Sequence, residues 1–147
     1  MTRCLAASAV LLALPTMAGA GSAVASFSVS ADVPPRVILE TVSAPESLAV
    51  SADDLSRGYV DVAALYRVRS NDPAGYLVRL APRTGLATEV QVGGLATPVV
   101  VREATVAVVE AWTPVARELH ITFRVLLQES VPEGVYPLPV LLYVSPL

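Results

Sequence analysis

From residue 26 onward, apolar and polar side chains alternate with a period of two, and helical spacing is hard to find. Such alternation marks strands with one buried and one wet face. Phe27, Val29, Ala31 and Val33 alternate with Ser28, Ser30 and Asp32, and Pro34-Pro35 ends that strand because proline donates no ladder hydrogen bond. Short strands are predicted over 36–42 and 47–50. Ala52 to Gly58 reads as a polar connection with room for one helical turn. A long strand follows, with Val60, Val62, Ala64, Tyr66 and Val68 on one face. After the Ser70–Gly75 turn, Tyr76, Val78 and Leu80 are expected to return antiparallel to it.

Further strands are predicted over 86–92, 98–103 and 105–111, with Gly93-Gly94 as a hairpin or bulge signal between the first two. The cleanest alternation follows Thr113-Pro114, where Leu119, Ile121, Phe123, Val125 and Leu127 share a face. The last strand, 135–144, places Tyr136, Leu138, Val140, Leu142 and Val144 on one side. Val135, Leu141 and Tyr143 make the other side apolar as well, which predicts cover on both faces. Eight to ten short strands with regular turn punctuation predict an all-β protein, a single antiparallel β-sandwich over 26–147.

The first 25 residues differ. A basic start at Arg3, an apolar run from Leu5 to Leu14 and small residues through Ala25 have the three parts of a secretory signal. Cleavage after Ala20 or after Ala25 fits, and the second is preferred because the strand alternation begins at Ser26. No later stretch approaches the run of about 20 apolar residues that a spanning helix needs, so the 54% hydrophobic content belongs to a core. The chain is therefore expected to be exported, with no membrane span after cleavage.

Cys4, the one cysteine, would leave with the signal, so neither disulfides nor thiol chemistry are expected in the exported domain. All ten basic residues are arginines. Without Arg3, nine face thirteen acids, and a mildly acidic surface argues against nucleic acid as a partner.

Candidate chemistry is sparse. His120, on the polar face of its strand between Glu118 and Thr122, has no partner motif and reads as an exposed histidine. Asp53-Asp54 lacks the alternating acidic spacing of a calcium loop and reads as a solvated turn. Trp112 reads as a core or edge residue before a carbohydrate platform. No nucleophile-elbow, Walker-type or dinucleotide-binding glycine pattern occurs. The expectation is a protein without catalytic residues, metal ligands or cofactors.

Three segments carry a resemblance. Ser26-Phe27-Ser28-Val29-Ser30-Ala31-Asp32-Val33 resembles the start of exported fimbrial subunits. The stretches Tyr66–Asp72 and Gly75–Leu80 are similar to a central hairpin of the alpha-related fimbriae and the spore-coat-protein-U-like secreted proteins of the chaperone–usher pathway. The segment from Pro132-Glu133-Gly134-Val135-Tyr136 through Val144 looks like their final P-x-G-x-Y strand. The cysteine pair of many such subunits is missing. The resemblance implies an immunoglobulin-like fold, passage through the periplasm to the cell surface, and assembly by a periplasmic chaperone and an outer-membrane usher. Its partners would be other fimbrial subunits or further copies of itself.

Joining would proceed by β-strand complementation, in which an alternating segment fills a neighbour's incomplete sheet. Phe27, Val29, Ala31 and Val33 are the candidate inserted side chains. Tyr136, Leu138, Val140 and Leu142 are the candidates bordering the acceptor groove. The alternative is a self-complete secreted or periplasmic binding or adhesion module, using loops such as 71–75 and 93–97, with residues 26–33 paired in their own sheet.

Overall fold

A computed structural model describes residues 26–83 and 85–147; the expected signal peptide, 1–25, lies outside the described residues. The chain divides into a unit ending at Asp32 and a compact unit from Val33 to Leu147. Within the first, Ser26–Asp32 form no strand and are exposed. The strand expected over 27–33 is thus absent: β1 starts at Val37, beyond Pro34-Pro35. Alternation supplies a surface suited to pairing, but a strand also needs a neighbour to satisfy its backbone.

Among the described residues the second unit holds ten strands and one helix. They are β1 (Val37–Ser43), β2 (Ser47–Val50), α1 (Ala52–Arg57), β3 (Tyr59–Ser70), β4 (Tyr76–Pro82), β5 (Ala87–Gly93), β6 (Val99–Val101), β7 (Val106–Glu110), β8 (Arg117–Leu127), β9 (Gly134–Pro137) and β10 (Val140–Pro146). A five-stranded sheet in the order β1-β3-β8-β5-β6 and a three-stranded sheet in the order β10-β4-β7 enclose a common core, with β2 and β9 as a separate pair. Every pairing is antiparallel. The molecule is an all-β sandwich, as the period-two pattern predicts.

The core follows the alternation. Leu119, Ile121, Phe123 and Val125 of β8 are at most 1% exposed, while Glu118, His120, Thr122 and Arg124 between them face solvent. β3 pairs with β8 from Tyr59↔Leu126 to Val68↔Arg117, and its Val60, Ala64, Tyr66 and Val68 join the same layer. Val78 and Leu80 of β4 meet them from the opposite sheet with no exposed surface.

One expected pairing and one expected strand differ. β4 does not return beside β3; it crosses to the other sheet and pairs with β7 and β10. The Ser70–Gly75 connection carries the crossing, with Asp72 Oδ1 accepting from the Ala74 N–H at 2.9 Å and Gly75 at φ 109°. The last strand is also broken in two. β9 pairs with β2, β10 pairs with β4, and the switch falls at Leu138-Pro139. There the Leu138 N–H donates to Glu46 O at 3.3 Å, continuing the β2 ladder, and Pro139 O accepts from the Arg83 N–H at 2.7 Å, continuing the β4 ladder. Prolines at 137 and 139 cannot donate, which permits a change of sheet at that point.

The polar connection at 52–58 becomes a capped helix. The Ser51 hydroxyl and N–H donate to Asp54 Oδ2 at 2.6 and 3.0 Å, and the Asp54 N–H returns a bond to Ser51 Oγ. Gly58 closes the turn in the left-handed conformation at φ 78°. The Ser51 hydrogen bonds, and secondarily the Arg57 guanidinium, hold the Asp54 carboxyl below its ordinary value of 3.8. A carboxyl depressed in the folded state contributes stability that is complete above its unfolded pKa and is lost as pH falls through the folded value. Asp54→Asn should therefore lower the urea midpoint at neutral pH and flatten its decline below about pH 4. For the core, Phe123→Ala is expected to cost about 3–5 kcal/mol in denaturant unfolding; a cost below about 1 kcal/mol would contradict the packing described.

Candidate functional site

The C-terminal candidates occupy three structural settings. Tyr136 lies half-buried on β9 opposite Leu48 of β2, and its hydroxyl donates to Pro132 O at 2.8 Å. Leu138 is buried at the sheet switch, 8% exposed. Val140 and Leu142 are buried on β10, opposite Pro82 and Leu80 of β4. The four therefore face the core, as their parity predicts. The opposite side is not covered: Val135, Leu141 and Tyr143 are 72%, 46% and 39% exposed. Two-sided apolar character here reflects an open apolar outer surface, to which Val109 of β7 adds another exposed side chain.

β10 has one hydrogen-bonded neighbour, β4, and β1 has one, β3, so an outer edge of each strand is free among the described residues. These two edge strands touch each other across the sheets. Their inward side chains Val37, Leu39 and Val144 are only half-buried, unlike the sealed positions on β3, β4 and β8. A free strand edge beside incompletely covered apolar side chains is the surface that an added strand would complete.

The N-terminal candidates Phe27, Val29 and Val33 are 88%, 82% and 71% exposed, and Ala31 is exposed as well. Just beyond them, Asn71 fixes the entry to β1. Its side chain accepts from the Arg36 N–H at 2.6 Å and donates to Pro34 O at 3.1 Å, while its N–H donates to Arg36 O at 3.2 Å. Asn71 thus bonds the backbone on both sides of Pro35. Its place in an Asn-Asp-Pro turn marks a loop in the sequence but gives no sign of this role.

The remaining polar candidates are individually accounted for. His120 is exposed on β8, opposite Leu65. Asp54 is the N3 residue of the capping box with Ser51, buried rather than in a solvated turn. Trp112 donates its indole N–H to Ser70 O at 2.9 Å and is 36% exposed. Gly94 takes φ 90° after β5, where a Cβ would lie 1.8 Å from His120 O, so no other residue fits that approach. Among the described residues no group of three or more His, Cys, Asp or Glu is placed to hold a metal ion. No helix among them is long and apolar enough to cross a membrane.

One buried polar group was overlooked in the sequence. Glu110 is fully buried at the end of β7. One carboxylate oxygen accepts from the Ala96 N–H at 2.5 Å and the other from Arg117 Nη1 at 2.8 Å. Tyr76, paired with Glu110 across the ladder, has a buried hydroxyl with no partner among the described residues, and burial pushes its pKa up. The available signal was parity, because Glu110 shares its face with Val106 and Val108. The arrangement ties the 94–97 connection and the start of β8 to β7, a structural role.

No family model matches the chain, and no curated protein or solved structure matches it significantly.

Removing the buried Glu110 carboxylate leaves the Ala96 N–H without its acceptor and the half-buried Arg117 without its ion-pair partner. Glu110→Ala is expected to cost about 3 kcal/mol in urea unfolding, and Glu110→Gln less, because an amide oxygen can still accept from Ala96. Equal stability of both variants with the parent chain would contradict the role assigned to Glu110.

Proposed function

We propose that the chain is an exported structural subunit of a fimbria-like surface assembly, joined to its neighbours by strand complementation. The observation that carries the proposal is the pairing of two unused features. Phe27, Val29 and Val33 project from a segment in no strand, at 71–88% exposure. β1 and β10 present free edges over half-buried Val37, Leu39 and Val144. Burying one Phe or Val side chain contributes about 1.5–3 kcal/mol, and an added strand gains main-chain hydrogen bonds as well. These are the terms that would oppose the entropic cost of joining two subunits.

In this reading Phe27, Val29, Ala31 and Val33 fill a neighbour's groove. Val140 and Leu142 form the packed floor beneath its β10 edge, and Tyr136 and Leu138 hold the strand that leads into it. Such a segment must be kept from premature pairing, which is the task of a periplasmic chaperone, and placed in sequence, which is the task of an outer-membrane usher. The resemblance of the three segments points to those partners.

A second reading has one observation in its favour. Among the described residues every buried core side chain lies between Leu48 and Leu142, so the sandwich packs without residues 26–33. That suits a self-complete binding or adhesion module. The two readings part on one experiment. The chain beginning at Ser26 is expected to self-associate with rising concentration in analytical ultracentrifugation. A variant beginning at Arg36 is expected to stay monomeric yet bind a peptide of residues 26–33. If the shortened variant associates as the longer chain does, or neither associates nor binds the peptide, strand complementation through this segment is wrong.

A further inference from the structure

The outer face of the five-stranded sheet holds an open trough of about 640 Å³, within the range of small-molecule sites. The register explains it. One row across the strands reads Asp61, Arg124, Gln91 and Val100; the next reads Ala63, Thr122 and Gly93. The second row is made of small side chains, so the surface dips beside a polar wall. Gly93 sets the depth, since a Cβ there would lie 2.8 Å from Thr122 Oγ1. Pro98 and Val100 form an apolar rim.

The wall is organised rather than loose. Arg124 Nε and Nη2 donate to the two Asp61 oxygens at 2.8 and 3.0 Å, and its guanidinium stacks on the Tyr59 ring with its carbon 4.5 Å from the centroid. The Gln91 amide nitrogen donates to Glu89 at 3.0 Å, which fixes the amide and leaves its oxygen as the group to accept from a ligand. The Arg124 contact holds the Asp61 carboxyl below the usual carboxylate range, so the pair is ionised and nets no charge at neutral pH.

We infer that this trough binds a neutral saccharide ring. Each sugar hydroxyl both donates and accepts. The Asp61 carboxylate and Gln91 oxygen can accept, the Arg124 guanidinium can donate, and the Thr122 hydroxyl can do both. The ring's C–H face matches the floor of Ala63, Gly93 and the Thr122 methyl. An anion gains little here because Asp61 already neutralises Arg124, and a cation gains little because Arg124 neutralises Asp61. The open shape predicts weak binding, on the order of millimolar for one ring. The inference stands apart from the strand-complementation reading, because none of these residues lies on β1 or β10, and Asp61 and Ala63 of β3 precede the stretch Leu65–Ser70 that pairs with β1.

The test is a titration of the ¹⁵N-labelled chain with galactose, mannose and N-acetylglucosamine, and with glucuronate as the charged comparison. At least one neutral sugar is expected to give saturable amide shifts centred on Ala63, Gln91, Gly93 and Thr122. Ala63→Leu, which fills the floor from an exposed position, should abolish them, and Gln91→Ala should weaken binding about tenfold with the spectrum otherwise retained. The inference is overturned if no neutral sugar saturates, if glucuronate binds more tightly than all three, or if both variants bind as the parent does.

Discussion

The long antiparallel pairing of β3 with β8 sets the frame on which the other strands are hung. It brings Val60, Ala64, Tyr66 and Val68 into one layer with Leu119, Ile121, Phe123 and Val125. Because the side-chain period is two, a slip of one residue would expose the whole layer and bury Arg67, Glu118, His120 and Arg124. The register is therefore fixed by burial. Cross-strand ion pairs, Asp61 with Arg124 and Arg67 with Glu118, match it on the wet face. β5 pairs with the far side of β8 in a register that supplies Gln91 and Gly93 to the trough, so the core constraint also determines the outer surface.

The sandwich leaves its lateral openings unequal in chemistry. At β1 and β10, half-buried aliphatic side chains lie beside free backbone edges, a composition that invites another strand. On the outer face of the large sheet, charges are paired and small residues form a depression, which favours a neutral polar ligand. In the proposed reading the first surface serves assembly and in the inferred one the second serves recognition; they share no side chain. A subunit that joins others through one face can present the other to its surroundings.

Much of the fold was legible because alternation is a local signal. β2 has the bounds the pattern gave, and the inward faces of β3 and β8 are those that parity assigned. What local pattern does not encode is the partner of each strand. The Ser70–Gly75 turn has hairpin composition, yet β4 crosses to the other sheet, since a turn of that length serves either connection. Pro137 and Pro139 were visible, but their use as a switch between ladders depends on Glu46 and Arg83, both distant in sequence. The candidate side chains at 136–142 could be placed by parity, whereas the exposure of Val135, Leu141 and Tyr143 depends on how many layers the protein builds. Phe27–Val33 shows the limit most plainly: its alternation describes a strand, yet the segment forms none and is exposed.

The central claim is that residues 26–33 complete a neighbour rather than their own domain, and amide hydrogen exchange tests it most directly. In the dilute monomer the amides of Phe27, Val29, Ala31 and Val33 should exchange at rates near those of an unstructured peptide, while Ile121 and Phe123 stay protected. In the associated form the same N-terminal amides should become slow. Strong protection of residues 26–33 in the dilute monomer would contradict the account and show that the segment pairs within its own sandwich.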